Sequence, residues 1–243
     1  MNRGRRSTMP CLEVGNPHGV HGHMLVMAGH VVKRVEFATL VPVIFLVRHG
    51  ETAGNASRIV QLPDIPLSPR GRTQAERLAR RLAREGVARI LSSDLARARE
   101  TAESLQRATG APLTFEPLLH ERNFGDIRGT AYAGLDFDIF APDYVPPNGE
   151  SWPAFHARVD LAWERVQALA ASAGNLAVVT HGLVCRSLAA RHLRLPEGAI
   201  VPERWDNTSV TIVQCPAPWR VTLLNCVAHL DDLETTHAGS GVA

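Results

Sequence analysis

No stretch of this 243-residue chain approaches the ~20 consecutive apolar residues of a membrane-spanning helix, so no membrane partner is expected. Charge of one sign is also missing. Twenty-six basic side chains against 24 acidic ones leave a formal net charge of +2, too little to draw the chain to nucleic acid. The basic residues are mostly arginine, and many fall on one predicted helix, where a solvated face accounts for them. The four cysteines, Cys11, Cys185, Cys215 and Cys226, have neither metal-type spacing nor the density of a disulfide framework. A reducing cytoplasm is therefore the expected location. What is present, 45% hydrophobic and 21% charged residues, suits a globular domain long enough to bury a core without disulfides or metal.

Residues 1 to 40 differ from the rest of the chain. Arg3, Arg5 and Arg6 precede the first acid, Glu13, and residues 15 to 30 mix Gly, His, Met and Val without a period. A secretory signal needs a clean apolar segment and a small-residue cleavage site, and neither is evident. The arginine-rich start suits a transit peptide, but its helical amphipathicity is poor. His18, His21, His23 and His30 could gather a metal ion, yet a poorly ordered extension is the expectation, and a functional start near Met24 or Met27 is compatible with it. The expected organisation is an extension over 1–40, a folded domain over 41–230 and a tail over 231–243.

That domain opens on Val43-Ile44-Phe45-Leu46-Val47, an apolar run without alternation, stopped at Arg48-His49-Gly50. Such a run reads as a strand buried on both faces. Glu51 to Ile65 reads as a polar loop. Ser68-Pro69 then supplies an N-cap and a proline at the first helical position, and Ala75, Leu78, Ala79 and Leu82 recur at helical spacing. A short strand is predicted over 88–91, and Ser92-Ser93-Asp94 reads as the cap of a helix ending near Gly110. Residues 117 to 151, punctuated by Gly and Pro, read as a long loop of the kind that usually serves function. A helix over 153–173 leads into Leu176-Ala177-Val178-Val179-Thr180-His181-Gly182, which repeats the opening pattern. A helix over 183–194 and a hairpin over 209–213 and 221–224 close the domain. Strands alternating with helices at these lengths predict an α/β fold with a mostly parallel sheet.

Two strands thus end in His-Gly, at His49 and His181. Alone, either could be an ordinary strand end carrying a histidine. If both lie centrally in one parallel sheet, their imidazoles emerge at the same edge, where open α/β sheets bind ligands. A helix N-terminus, predicted to begin at Asp94, would bring Arg97 to that edge, and helix N-termini favour anions. Arg48, Asn55, Arg97 and His181 make up the donors of a phosphate pocket, with guanidinium forks matching oxyanion geometry. His49 would be the nucleophile, neutral at one nitrogen and held in one tautomer by a backbone carbonyl at the other. The leaving alkoxide needs a proton. Glu121 is the best candidate acid, although by itself a surface glutamate paired with Arg122 would be the favoured reading.

Arg48-His49-Gly50-Glu51-Thr52 with Asn55, residues 92–102 (SSDLARARETA), 121–129 (ERNFGDIRG), 147–152 (PNGESW) and Thr180-His181-Gly182 together resemble the histidine phosphatase superfamily, in its phosphoglycerate-mutase-like branch. The resemblance runs from about residue 43 to 225 with the motifs in the family's order. It implies a three-layer αβα sandwich, His49 as the phosphorylated nucleophile and Glu121 as proton donor. It also implies Arg48, Asn55, Arg97 and His181 as phosphate ligands, a small phosphomonoester as substrate, and no metal or organic cofactor. Cofactor-dependent mutases of the family carry a longer, charged segment after the acid. Here residues 122–148 are short and hold Ile127, Tyr132, Phe137, Phe140 and Tyr144, which favours a phosphatase with an open or apolar pocket.

Three other readings are weighed: a mutase of the same chemistry, a metal hydrolase using His49, Glu121 and His181, and a non-catalytic phospholigand-binding module. Arg48 and Arg97 would repel a cation, which counts against the metal. The presence of every expected catalytic residue counts against the inert module. Neither the specific substrate nor the oligomeric state is legible.

Overall fold

A computed structural model describes residues 41–231; the extension, its histidines and the tail lie outside the described residues. The chain runs β1 (Val43–Arg48), α1 (Ala53–Ser57), α2 (Pro69–Leu82), β2 (Val87–Ser92), α3 (Ala96–Thr109) and β3 (Leu113–Phe115). It continues through α4 (Trp152–Ala173), β4 (Asn175–Thr180), α5 (Gly182–Arg191), β5 (Val210–Gln214) and β6 (Val221–Cys226). The strands form one six-stranded sheet in the order β3-β2-β4-β1-β5-β6. The first four are mutually parallel, while β5 runs antiparallel to β1 and β6 to β5.

Side chains of a strand alternate between faces, and β1 is buried on both. Phe45 and Val47 pack with Leu78, Leu82, Ala98 and Leu105 of α2 and α3, whereas Ile44 and Leu46 pack with Val159, Val166, Val184 and Leu188 of α4 and α5. The result is a three-layer αβα sandwich with β1 and β4 central. Each such buried aliphatic or aromatic side chain contributes about 1.5–3 kcal/mol. Ser68 caps α2, its hydroxyl accepting from the Gly71 N–H at 2.9 Å, and Ser151 caps α4 through Ala154. Among the described residues no helix is long and apolar enough to cross a membrane.

Three local expectations are corrected. The polar loop after β1 contains α1, a five-residue helix set by a capping box between Thr52 and Asn55 rather than by an apolar period. β3 was not foreseen, since three residues on a sheet edge are too few for a readable pattern. Ser93 and Asp94 do not cap α3: Leu95 stands at the cap without a side-chain bond, and the Ser93 hydroxyl meets His181 and accepts from the Leu95 N–H ahead of the helix.

A close backbone approach joins the end of β1 to the start of α2. A Cβ built on Gly71 would lie 1.9 Å from the Glu51 carbonyl oxygen, and one on Gly50 would lie 2.7 Å from the Gly71 oxygen. Glycine to alanine within a helix ordinarily gains about 1 kcal/mol. Here the sign reverses. Gly71→Ala is expected to lower stability by about 1–3 kcal/mol, the usual cost of overpacking, read as a lower urea midpoint at unchanged slope.

Candidate active site

The site follows from the register of the two central strands. Arg48 lies opposite Thr180 across the parallel β1–β4 pair, so His49 and His181 leave the sheet side by side. Their ring centroids are 5.1 Å apart with planes at 57°, and both side chains are fully buried. The neighbouring strand contributes Ser93, whose hydroxyl lies 2.8 Å from His181 Nε2. α3 is fastened to the same edge by the Gly50 N–H, which donates to Thr101 Oγ1 at 3.1 Å. Its first turn carries Arg97, which donates to the Leu62 carbonyl at 3.1 Å.

His49 is held in one tautomer. Its Nδ1 lies 2.7 Å from the Gly50 carbonyl oxygen, which can only accept, so Nδ1 carries the proton and Nε2 keeps a lone pair. Burial, then the charges of Arg97 and Arg48, hold the imidazole well below its usual range, so at neutral pH it is uncharged. His181 is likewise held neutral, by burial first and then by Arg97. Arg97 itself is pushed down to about 10, chiefly by burial, and so stays cationic near neutrality.

The amide of Asn55 is oriented by its neighbours. Its Oδ1 accepts from the Thr52 N–H at 3.2 Å and from Asn207 Nδ2 at 3.3 Å, which leaves Nδ2 as the donating end. That Nδ2, together with His49 Nε2, Arg97 Nε and His181 Nδ1, is buried without a hydrogen-bond partner among the described residues. Buried polar atoms are nearly always paired, and each one left unpaired costs about 1–3 kcal/mol. Four such atoms come from the end of β1, from α1, from α3 and from the end of β4. A tetrahedral oxyanion is the kind of ligand that serves the N–H groups among them at once, with its central atom open to the His49 Nε2 lone pair, and the cations around it match its charge.

Glu121 is not a surface residue paired with Arg122. It is 7% exposed, and its two carboxylate oxygens accept from backbone N–H groups, that of Arg122 at 2.9 Å and that of Leu183, in the first turn of α5, at 3.2 Å. Burial raises the carboxyl above its ordinary value, against those two bonds and the charges of Arg97 and Arg48. The Arg122 guanidinium turns away and donates to three carbonyls, of Glu150 at 3.1 Å, Ile139 at 3.2 Å and Tyr144 at 2.7 Å, beneath the Trp152 ring. Glu150, from the Gly-Glu-Ser segment, accepts from both Arg158 nitrogens Nε and Nη2, at 2.8 and 2.7 Å. The long irregular segment is therefore pinned to the residue after Glu121.

The structure brings all six sequence-derived residues, Arg48, His49, Asn55, Arg97, Glu121 and His181, to this one edge. It adds four that the sequence pattern did not single out. Asn207 donates to the His49 carbonyl at 3.0 Å as well as to Asn55. The Trp205 carbonyl accepts from Arg48, and Ser93 orients His181. Thr208, at a φ of 58° that is a genuine outlier for a β-branched residue, donates its N–H to the Arg48 and His49 carbonyls. The polar run Asp206-Asn207-Thr208-Ser209 before β5 was the available signal, but nothing in its spacing tied it to β1.

A cavity of about 140 Å³ lies between Arg58, which ends α1, and the segment from Tyr132 to Phe140. Tyr132 lines it. Its hydroxyl lies in the field of Glu121, Arg48 and Arg97, and burial followed by Glu121 pushes it up to about 12.

Comparison with known proteins identifies a family. The family model described as histidine phosphatase superfamily (branch 1) matches residues 44–226. A Shigella boydii protein named "Probable phosphoglycerate mutase GpmB" is 32% identical over 204 residues, covering 77% of this chain and 94% of that protein. Among solved structures, YhfR of Bacillus stearothermophilus superposes with a TM-score of 0.68 at 30% identity, covering 78% of this chain and 99% of that one. A mycobacterial glucosyl-3-phosphoglycerate phosphatase, in a structure titled as a complex with VO3, superposes with a TM-score of 0.62 at 29% identity, covering 75% and 97%.

Proposed function

The chain belongs to the histidine phosphatase superfamily, branch 1, and from that footing we propose that it hydrolyses small phosphomonoesters through a phosphohistidine on His49, without a metal or organic cofactor. The observation that carries this reading is the buried neutral His49, whose Nδ1 is tied to the Gly50 carbonyl and whose Nε2 lies with the orphaned donors of Asn55, Arg97 and His181.

In the first step the Nε2 lone pair attacks phosphorus in line, forming a P–N bond as the P–O bond to the leaving group breaks. Arg48, Asn55, Arg97 and His181 hold the three equatorial oxygens, and that preorganised charge is most of what phosphoryl transfer requires of a protein. Protonated Glu121 gives its proton to the departing alkoxide oxygen. In the second step the Glu121 carboxylate takes a proton from water, the water oxygen attacks phosphorus and the P–N bond breaks. Inorganic phosphate leaves, with His49 neutral and Glu121 protonated again. A buried carboxyl with a raised pKa suits the acid role, and the proton it loses is needed for the next turnover.

A mutase is the second reading, favoured by the 32% identity to a protein named as a phosphoglycerate mutase. Both readings share the phosphoenzyme and part at the acceptor. The short, aromatic segment 122–148 supports water over a second, doubly charged sugar acid. The test is hydrolysis of p-nitrophenyl phosphate in EDTA with and without vanadate, alongside a phosphoglycerate interconversion assay. Activity is expected to survive EDTA and to fall with vanadate, a mimic of pentavalent phosphorus. Loss in EDTA sinks the metal-free reading, and interconversion of phosphoglycerates faster than hydrolysis selects the mutase.

A further inference from the structure

His229 takes no part in the two transfer steps and lies beyond the stretch, residues 44–226, that the family model matches. We infer that His229 is a positioning residue, which holds Thr208 and through it the end of β1 that carries His49. This inference rests on the phosphatase reading and adds to it a residue that acts from outside the pocket.

The contacts run without a gap from α2 to the nucleophile. Arg81, in the last turn of α2, brings its Nη1 to 3.2 Å from His229 Nδ1. On the other side of the ring, His229 Nε2 lies 3.1 Å from the Thr208 hydroxyl. That hydroxyl donates to the Asn207 carbonyl at 2.7 Å. The Thr208 N–H in turn donates to the His49 carbonyl at 3.2 Å and to that of Arg48 at 3.1 Å. Asn207 Nδ2 donates to the same His49 carbonyl at 3.0 Å. The peptide group after the nucleophile is therefore held by two N–H groups from the pair that His229 braces. The next carbonyl, that of Gly50, is the one that fixes His49 Nδ1, so a shift of this peptide moves both the root of the ring and its tether.

The role of each group is determined. A guanidinium only donates, so His229 Nδ1 accepts from Arg81, and a neutral ring then carries its proton on Nε2. Thr208 has committed its one hydroxyl hydrogen to Asn207, so its oxygen accepts from Nε2. Burial, then Arg81 and Arg77, push the His229 imidazole down to about 3, and the ring stays neutral throughout the neutral range.

Thr208 requires such a hold. A β-branched residue at a φ of 58° is strained, and strained residues persist only where their surroundings over-determine them. The neighbouring Asp206 is secured from the same part of the chain: its N–H donates to Asn225 Oδ1 at 3.0 Å, and Asn225 Nδ2 donates to its carboxylate at 3.1 Å. The end of β6 and the turn after it thus brace the whole run from Asp206 to Thr208.

The test uses two substitutions that divide the imidazole between them. Glutamine places an N–H close to where Nε2 stands and can still donate to Thr208. Asparagine places an oxygen close to where Nδ1 stands, keeping the bond to Arg81 but falling short of Thr208. The full-length variants are compared by rapid-quench phosphoenzyme formation from p-nitrophenyl phosphate, by the inhibition constant of inorganic phosphate and by the urea midpoint. His229→Asn is expected to slow phosphoenzyme formation by about 10- to 100-fold, the scale of loss from a small misplacement of a reacting group. The phosphate constant should change little, because Arg97 and His181 stand on other elements. His229→Gln is expected to recover most of the rate at a similar urea midpoint. Thr208→Val, which removes the accepting oxygen, should match His229→Asn, and the double variant should be no slower than either, since members of one hydrogen-bond network are not additive. Equal rates for His229→Asn and His229→Gln, or additive losses in the double variant, overturn the positioning role and leave the phosphatase reading standing. If His229→Asn does not fold, Thr208→Val against Thr208→Ser, which keeps the hydroxyl, makes the same comparison, and equal rates there overturn the role as well. Absence of a phosphoenzyme in the wild type overturns both.

Discussion

Replacing His49 by alanine is expected to lower kcat on p-nitrophenyl phosphate by on the order of 10⁶-fold, the scale of loss when a covalent nucleophile is removed. The size of the effect comes from the geometry. Nδ1 is committed to the Gly50 carbonyl, so the whole nucleophilic capacity of the ring sits on Nε2. The alternative imidazole cannot stand in for it. His181 has its Nε2 on Ser93, and its ring, although only 5.1 Å away centroid to centroid, leaves the sheet from a different strand, so it is not expected to take over the attack. The decisive measurement is acid-labile label transferred from [³²P]phosphomonoester to protein. Wild type should carry it in a rapid quench, and His49→Ala should carry none while retaining the circular dichroism of the folded chain. Label in the variant would mean that another side chain is the nucleophile. A variant that still bound phosphate, seen as protection against unfolding, would separate the loss of chemistry from the loss of the pocket.

His49 and His181 were legible because a parallel sheet is a simple machine. An apolar run that stops at His-Gly says where a strand ends, and parallel pairing puts two such ends at one edge. The αβα layering was legible for the same reason, since a run buried on both faces needs a helix layer on each. Arg97 could be placed because a helix N-terminus had to fall near its position, although Leu95 rather than Asp94 turned out to stand at the cap. Glu121 was another matter. Nothing in the spacing of Leu119, Glu121 and Arg122 shows that a carboxylate there is buried against the Leu183 N–H, for that contact joins positions far apart in sequence through the start of α5. The family motif pointed to it, and only the fold supplied the reason. Asn207 and Trp205 were invisible on the same principle. They act on the strand end through one amide and one carbonyl, and such a bond leaves no periodicity for a sequence pattern to carry. α1 and β3 were missed because a five-residue helix of mostly small side chains and a three-residue edge strand are fixed by caps and by a neighbouring strand rather than by their own pattern.

Glu121→Gln separates acid catalysis from everything else the site does. For an alkyl phosphate, kcat/KM is expected to fall by about 10²–10⁴-fold, the usual worth of a positioned general acid. For p-nitrophenyl phosphate the leaving phenolate needs no proton, so kcat/KM should change little. Its kcat should nevertheless drop, because the second step still needs the glutamate as base. A burst of nitrophenolate equal to the enzyme concentration, with phosphoenzyme accumulating, is the expected trace. The pH profile follows from the same two groups. His49 is held well below its ordinary range by burial and by Arg97 and Arg48, so it is neutral and able to attack throughout the neutral region. Glu121 is held above its ordinary value by burial, and the acid form is the one that donates. The wild-type kcat/KM on alkyl phosphates should therefore fall as pH rises through the raised pKa of Glu121, and that limb should vanish in Glu121→Gln. Glutamine brings one complication of its own, because the carboxylate accepts two backbone N–H groups and an amide can accept only one of them without turning donor against donor. Some loss common to all substrates is expected from that mismatch. The difference between leaving groups is what identifies the acid: an equal fall in kcat/KM for alkyl and nitrophenyl phosphates would leave Glu121 as a shaping residue and require another proton donor.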